Sequence, residues 1–175
     1  TIAVEDVNHN GDMEIVTASV VVGVPGDLGK LAVHCIDKDG NRRWNYIPPE
    51  QPQLYVLGIC DFDGDGGIEV MTRQGHVLNG LDGSLKKLFS DLRGIFVDID
   101  GDGFVENVAG YDNILRCQNY KELKWQYDCG SAIQGVIAAD ADEDGIVELY
   151  VLTSGNLICL TSGPLGALQV HAYRA

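Results

Sequence analysis

Oxygen-bearing side chains recur at fixed spacing in four nine-residue segments of this chain. The segments read DVNHNGDME at 6–14, DFDGDGGIE at 61–69, DIDGDGFVE at 98–106 and DADEDGIVE at 140–148. Asp or Asn stands at positions 1, 3 and 5, Gly at position 6 and Glu at position 9. Hard oxygen ligands from alternate positions of a short loop suit Ca²⁺. The segments therefore predict four calcium sites, about four Ca²⁺ per chain.

Each predicted site takes side chains from positions 1, 3, 5 and 9 and a backbone carbonyl from position 7. The glycine at position 6 permits the sharp turn that such a loop needs. The first loop has two carboxylates at the side-chain positions and the others have four, so we expect the first to bind most weakly. The candidate ligands are Asp6, Asn8, Asn10, Asp12 and Glu14; Asp61, Asp63, Asp65, Gly67 and Glu69; Asp98, Asp100, Asp102, Phe104 and Glu106; and Asp140, Asp142, Asp144, Ile146 and Glu148.

The acidic charge of the chain is concentrated in these segments. The formal net charge is −14, from 26 acidic and 12 basic side chains. The four segments hold 16 of the acidic residues and none of the Lys or Arg residues, so the remainder carries 10 acidic against 12 basic side chains. Clustered carboxylates favour a bound cation. Without a basic stripe to meet phosphates, the chain is not expected to bind nucleic acid.

The segments between the loops predict an all-β fold. Short β-branched or aromatic runs alternate with Gly, Asp and Asn turns, and no stretch shows a helical period. The spacing of the loops suits a repeat of four strands, and no apolar run is long enough to span a membrane. We therefore predict one domain, a β-propeller of four four-stranded blades at about 1–53, 54–93, 94–133 and 134–175.

The loops resemble those of the FG-GAP/VCBS repeat family, as in integrin α-subunit propellers. An EF-hand shares positions 1, 3, 5 and 6 but needs Glu at position 12 and flanking helices, and position 12 here is Thr17, Thr72, Ala109 or Val151. Position 9 is Glu where integrin loops often carry Asp. The resemblance implies a calcium-binding structural, adhesion or assembly module, placed outside the cell or on its surface. Sites of this kind fill at millimolar external calcium.

Two function classes remain open from the sequence. The first is this non-catalytic module, with protein or carbohydrate ligands and no catalytic residues or organic cofactor. The second is a polysaccharide lyase of the rhamnogalacturonan type, or a piece of one, since some such enzymes have similar loops. A lyase needs a base to take the proton α to a uronate. The bases nearest the loops in sequence are Arg73 and Arg93.

Cysteine and aromatic residues give further expectations. The five cysteines form no CxxC pair, and because their number is odd, at least one thiol is free or pairs between chains. We expect Cys35, Cys117 and Cys159, which fall at similar points in successive repeats, to be small buried hydrophobic residues rather than disulfides. Trp44, Phe89 and Trp125 are expected to pack between blades rather than stack on sugars. With no Cys near either terminus to tie a four-bladed ring, we expect the chain to associate with other copies of itself or to belong to a larger propeller.

Overall fold

Sixteen β-strands make up the regular structure of the described residues. The structure is a computed structural model that describes residues 1–21, 26–50, 53–162 and 168–174. The strands are β1 Ile2–Glu5, β2 Glu14–Val20, β3 Leu31–Ile36, β4 Arg42–Tyr46, β5 Val56–Cys60, β6 Glu69–Thr72, β7 His76–Asn79, β8 Leu85–Leu88, β9 Ile95–Val97, β10 Glu106–Tyr111, β11 Ile114–Gln118, β12 Leu123–Asp128, β13 Ile133–Ala139, β14 Glu148–Thr153, β15 Asn156–Ser162 and β16 Leu168–Arg174.

The strands form four antiparallel sheets in which each strand pairs with its neighbours in sequence. Sheet one is β1-β2-β3-β4, sheet two β5-β6-β7-β8, sheet three β9-β10-β11-β12 and sheet four β13-β14-β15-β16. Short turns join most of the paired strands, as antiparallel pairing allows. The prediction of an all-β fold is confirmed. The predicted metal loop joins the first and second strands of every sheet.

The predicted β-propeller is wrong. The described residues form four separate four-stranded sheets, and they show no closed propeller or barrel. The contacts divide into two compact units, residues 1–61 with 65–92 and residues 62–64 with 93–175. The repeat specifies the strands of one sheet, because alternating patterns and turns are local. How successive sheets pack depends on side chains from different repeats, which the repeat pattern does not encode. The four repeat ranges remain a prediction.

The first unit has its own apolar core between sheets one and two. Val16, Val33, Val70 and Leu78 are fully buried in it. Trp44 on β4 packs there as well, and its Nε1–H donates a hydrogen bond of 2.8 Å to the carbonyl of Gly80 in the β7–β8 turn. The predicted packing role of this tryptophan is confirmed, and the bond satisfies a polar group that burial would otherwise penalise.

The second unit repeats this arrangement with sheets three and four. Val108, Leu115, Leu149 and Leu160 are buried at its centre, and Trp125 packs against them partly buried. Side chains alternate between core and solvent along β11, as expected of a strand with one buried face. No helix in the described part of the chain is long and apolar enough to cross a membrane.

All five cysteines are free thiols, and the predicted burial of Cys35, Cys117 and Cys159 is confirmed. Cys35, Cys117, Cys129 and Cys159 are buried and Cys60 is half-buried. Burial raises the pKa of the Cys35 thiol to about 11 and those of Cys60 and Cys117 to about 12. These thiols therefore stay protonated and serve as small apolar side chains.

Candidate metal sites

A glycine in left-handed conformation turns each of the four loops at position 6. Its φ is +88° at Gly11, +86° at Gly66, +87° at Gly103 and +87° at Gly145. In every loop the N–H of this glycine donates to the position 1 carboxylate, with N–O distances of 2.8, 2.9, 2.9 and 3.0 Å in chain order. The turn thereby folds the position 1 side chain over the loop.

The side chain at position 5 closes a second turn in each loop. Its oxygen accepts a hydrogen bond from the position 7 N–H, at 2.8 Å in the first loop, 2.7 Å in the second, 2.9 Å in the third and 2.8 Å in the fourth. Asn and Asp readily form such turns with the backbone two residues on. Asn10 forms the same turn as its Asp counterparts, so the first loop keeps this feature despite its lower charge.

The glutamate at position 9 anchors each loop to its sheet. Glu14, Glu69, Glu106 and Glu148 each begin the second strand of their sheet, and all four are at most 5% exposed. Oε2 accepts a hydrogen bond from the position 2 N–H in three loops, from Val7 at 3.2 Å, Ile99 at 3.2 Å and Ala141 at 2.9 Å. A buried carboxylate is costly unless it is hydrogen-bonded and its charge is balanced. Each loop therefore has a buried carboxyl group at its base.

Carboxylates converge at three of the four loops. Oxygens of these residues lie within 4.8 Å of one another in each group: Asp61, Asp63 and Glu69; Asp98, Asp100 and Glu106; and Asp140, Asp142, Asp144 and Glu148. Ca²⁺ binds oxygens at about 2.3–2.6 Å, so two ligands of one ion can be at most about 5 Å apart. The groups therefore fit a single divalent cation each.

The four loops differ in how completely the predicted ligands meet. The fourth brings together all four of its carboxylates, whereas the groups at the second and third loops leave out Asp65 and Asp102. The first loop, with neutral Asn8 and Asn10, forms no carboxylate group of this kind among the described residues. The position 7 carbonyls of Asp12, Gly67, Phe104 and Ile146 remain predicted ligands.

Basic side chains contact the position 9 glutamate in the first three loops. Lys86 Nζ donates to Asp65 Oδ2 and Glu69 Oε1, both at 2.8 Å. Lys124 Nζ donates to Asp100 Oδ2 at 2.7 Å, Glu106 Oε1 at 3.0 Å and Asp102 Oδ2 at 3.2 Å. In the first loop, Arg43 Nη1 lies 3.5 Å from Glu14 Oε1.

The ligand pattern of the loops did not predict these basic side chains. The signal was available, because the last strand of the first three repeats begins RRW, LKK and LKW, with a basic residue second each time. The basic residues nearest the loops along the chain are Arg73 and Arg93. Lys86 and Lys124 are 17 and 18 residues from the glutamates that they contact, so only strand pairing brings them together.

The pKa values of Glu106, Lys124 and Asp102 in the third loop reflect their burial and hydrogen bonds. Burial raises the pKa of Glu106, and the neighbouring Lys124 ammonium only partly offsets it. Burial disfavours the Lys124 charge, yet hydrogen bonds to Asp100, Glu106 and Asp102 outweigh it and raise the pKa of Lys124. The hydrogen bond from the Phe104 N–H lowers the pKa of Asp102. Lys124 is thus a firmly held ammonium ion at neutral pH.

A groove of about 220 Å³ lies beside the third loop. It is lined by Phe62, Asp63, Asp102, Phe104, Asn119, Tyr120 and Lys121. Phe62 packs edge-on against Tyr120, with ring centroids 5.9 Å apart, and Phe104 is 47% exposed. The groove combines aromatic and polar side chains.

Comparison with known proteins gives one informative likeness, and it concerns the fold. The chain matches no known protein-family model and no curated protein. Its structure is similar to that of the biofilm matrix protein Bap1 of V. cholerae, with a TM-score of 0.65 and 21% sequence identity. The likeness covers 100% of this chain and 28% of Bap1. The chain thus shares the fold of a segment that makes up 28% of that biofilm matrix protein.

Proposed function

We propose that this chain is a calcium-binding structural or adhesion module that works outside the cell, of the FG-GAP/VCBS repeat type. The observation that carries the proposal is the convergence of Asp140, Asp142, Asp144 and Glu148, whose oxygens lie within 4.8 Å of one another. Four carboxylates at that separation repel one another strongly without a cation. Hard oxygen donors with no Cys or His favour Ca²⁺ over transition metals.

The bound ion would stiffen the connection between the first two strands of a sheet. The loop starts after the first strand, and its position 9 glutamate is the first residue of the second strand. A cation held by positions 1, 3, 5 and 9 would join both strand ends and neutralise the buried glutamate. Binding to the folded loop alone stabilises the folded state by mass action. The proposed role of the ion is therefore to stabilise the loop.

The extracellular placement has two supports. Calcium sites of extracellular modules bind at about 10⁻⁴–10⁻³ M, the level of calcium outside cells. The fold is also similar to part of a biofilm matrix protein. A matrix protein must keep its shape while attached to large partners. Calcium-stiffened loops suit that task, so we propose a structural or adhesive role with a protein or carbohydrate partner.

A calcium titration of the fourth-loop variant Asp142→Asn, Asp144→Asn tests the proposal. Both amides keep the oxygen that accepts the local backbone hydrogen bonds, while two negative charges are lost. Glu143→Gln is the control, because Glu143 is in the same loop but outside the carboxylate group. We expect equilibrium dialysis with calcium to show one tight site fewer in the double variant and no change in the control. Absence of bound calcium at millimolar concentration would overturn the proposal.

Lys124 and Arg93 are poorly suited to act as the base that the lyase hypothesis needs. A base for α-proton abstraction must be neutral before it acts. Lys124 is held as an ammonium ion by three carboxylates, and the Arg93 guanidinium stacks on the ring of Tyr111 at 4.7 Å. A β-elimination assay on polyuronates with calcium checks this point directly, and we expect no unsaturated product.

A further inference from the structure

Three of the four sheets have a β-bulge at the same place, and each time the extra residue is basic. Between β3 and β4 the pairing passes from Cys35–Trp44 to Ile36–Arg42, which leaves Arg43 as the extra residue. The same shift makes Lys86 the extra residue of the β7–β8 ladder and Lys124 the extra residue of the β11–β12 ladder. Bulges redirect side chains that a regular ladder would place differently.

Each bulge aims its cation at the metal loop of its own sheet. Lys86 and Lys124 reach the position 9 glutamates at 2.8 and 3.0 Å, and Arg43 reaches its glutamate at 3.5 Å. The glutamates they contact are at most 1% exposed. The two lysines are themselves only about one-fifth exposed. These are partly buried, charge-assisted hydrogen bonds, which are stronger than ordinary surface ion pairs.

The fourth sheet lacks both the bulge and the cation. Strands β15 and β16 pair without interruption from Asn156–Arg174 to Ser162–Leu168. The sequence contains no Lys or Arg between Lys124 and Arg174. Glu148 pairs with Thr161, and Thr161 pairs with Gln169, so Gln169 marks the loop end of β16. Arg174 is five residues further along β16, at the opposite end of the hairpin. Five residues of strand span about 16 Å. The fourth loop is thus the one with four carboxylates and no cation from its own sheet.

We propose that the bulge residues Lys86 and Lys124 are built-in counter-cations that compete with the divalent ion for the second and third loops. The fourth loop then fills first, and the second and third fill only when the ammonium group is displaced. This inference rests on the proposed function, namely that the loops bind calcium. It predicts different calcium affinities for the second, third and fourth loops, which have the same ligand charge in the sequence.

The competition follows from distance and charge. The Lys124 nitrogen lies 2.7–3.2 Å from oxygens of Asp100, Asp102 and Glu106, and Ca²⁺ needs those oxygens at about 2.3–2.6 Å. The two cations cannot share one centre, since they repel each other at that range. Calcium must therefore break the lysine hydrogen bonds before it binds. In return, the lysine keeps the loop folded when calcium is scarce.

Lysine variants with matched controls test the competition. Lys124→Met removes the counter-cation of the third loop, and Lys124→Gln removes its charge while keeping a hydrogen-bond donor. Lys121→Met is the control, an exposed lysine of the same repeat with the same loss of charge. For the second loop, Lys86→Met is compared with Lys87→Met on the same strand. The readouts are a calcium isotherm and the melting temperature in EDTA.

We expect Lys124→Met and Lys124→Gln to tighten one calcium site by about tenfold or more, because a competing positive charge is gone. In EDTA both variants should melt at a lower temperature than the Lys121→Met control, since the Glu106 carboxylate loses its partner. Three equal tight sites in the parent chain, with no effect of Lys124→Gln on the isotherm, would overturn this inference and leave calcium binding intact. Absence of calcium binding in the parent and in every variant would overturn both.

Discussion

At the scale of single residues, the loop glycine and the first aspartate act together. Gly145 has φ +87° and donates its N–H to Asp140 Oδ2 at 3.0 Å. A side chain with a Cβ is strained in this conformation, whereas glycine adopts it freely. The glycine therefore fixes the position of the carboxylate as well as the direction of the chain.

Replacing Gly145 with alanine should lower both stability and calcium affinity. The left-handed conformation costs a residue with a Cβ about 1–2 kcal/mol, and the strain moves the N–H that holds Asp140. Gly135→Ala on β13 is the control, because that glycine has no positive φ and no atom within 4 Å of an added Cβ. Urea unfolding with and without calcium measures both effects. Equal loss of stability in the two variants would contradict the explanation.

The first loop owes its low charge to two asparagines. Asn8 and Asn10 stand where the other loops have Asp, and the Nδ2 of Asn8 is buried without a hydrogen-bond partner among the described residues. An Asn8→Asp, Asn10→Asp variant should bind calcium at this loop about tenfold or more tightly, since ligand charge tunes affinity.

The matched control for this variant is Ser19→Asp, Asn45→Asp, which adds the same charge at exposed positions of the same sheet. Isothermal titration calorimetry compares the two with the parent chain. If both double variants gain calcium affinity equally, the added negative net charge, rather than its position in the loop, is responsible. If neither gains, the geometry of the first loop, including Arg43 beside Glu14, sets its affinity.

At the scale of strands, the second and last strands of the first three sheets supply opposite charges to one loop. The glutamate begins the second strand, and the bulge of the last strand presents the cation. These positions are far apart in sequence and come together because the strands pair in order. The strands also bury the thiols that lie on them, and this gives a separate test of the fold.

Cysteine labelling should report that burial. Because burial raises the pKa of Cys35 to about 11 and those of Cys60 and Cys117 to about 12, little thiolate forms at pH 8. Iodoacetamide should label the folded protein slowly and all five cysteines rapidly in urea. Fast labelling of Cys35 or Cys117 in the folded protein would contradict the structure.

The same thiols predict how stability depends on high pH. Their folded pKa values lie above the ordinary thiol value of 9.0. The unfolded chain therefore releases protons from about pH 9, while the folded chain retains them to about pH 11–12. Stability should be complete below pH 9 and fall as pH rises through this window. Urea midpoints at pH 8 and pH 10 check the sign, and a Cys60→Ala, Cys117→Ala variant should show a shallower fall.

At the scale of the whole molecule, calcium binding should appear as thermal stability. A ligand at about 100 times its dissociation constant stabilises the folded state by about 2.7 kcal/mol per site. For a chain of this length that raises the melting temperature by several degrees. Calorimetry in calcium and in EDTA measures the shift, with Mg²⁺ as the control for ionic strength. The same melting temperature in both conditions would contradict a structural role for calcium.

Association with other copies is the second prediction at this scale. The large apolar side chains Ile2 and Val4 on β1 are 71% and 57% exposed, and such side chains on an outer strand favour pairing with another chain. We expect light scattering to show oligomers at high micromolar concentration, with EDTA changing their size. A monomer under both conditions would contradict this prediction. An Ile2→Lys, Val4→Lys variant should reduce any association.

The sequence by itself determined the all-β class, the strands of each repeat and the composition of each loop. These features are local: alternation, turn residues and ligand spacing act within about ten residues, so the pattern of Asp61 to Glu69 can be interpreted without knowing what packs around it. The burial of Cys35, Cys117 and Cys159 also followed from their similar positions in successive repeats.

Only the tertiary structure decided how the sheets are arranged and which cations meet the loops. The propeller was wrong because packing between sheets depends on side chains from separate repeats. The basic residue second in the last strand is visible in the sequence, but its contact with the loop is not, because Lys86 and Lys124 lie 17 and 18 residues from the glutamates that they contact. A one-residue bulge decides whether such a side chain is directed at the loop. The sequence contains four similar loops. The fourth differs in that the last two strands of its sheet pair without a bulge.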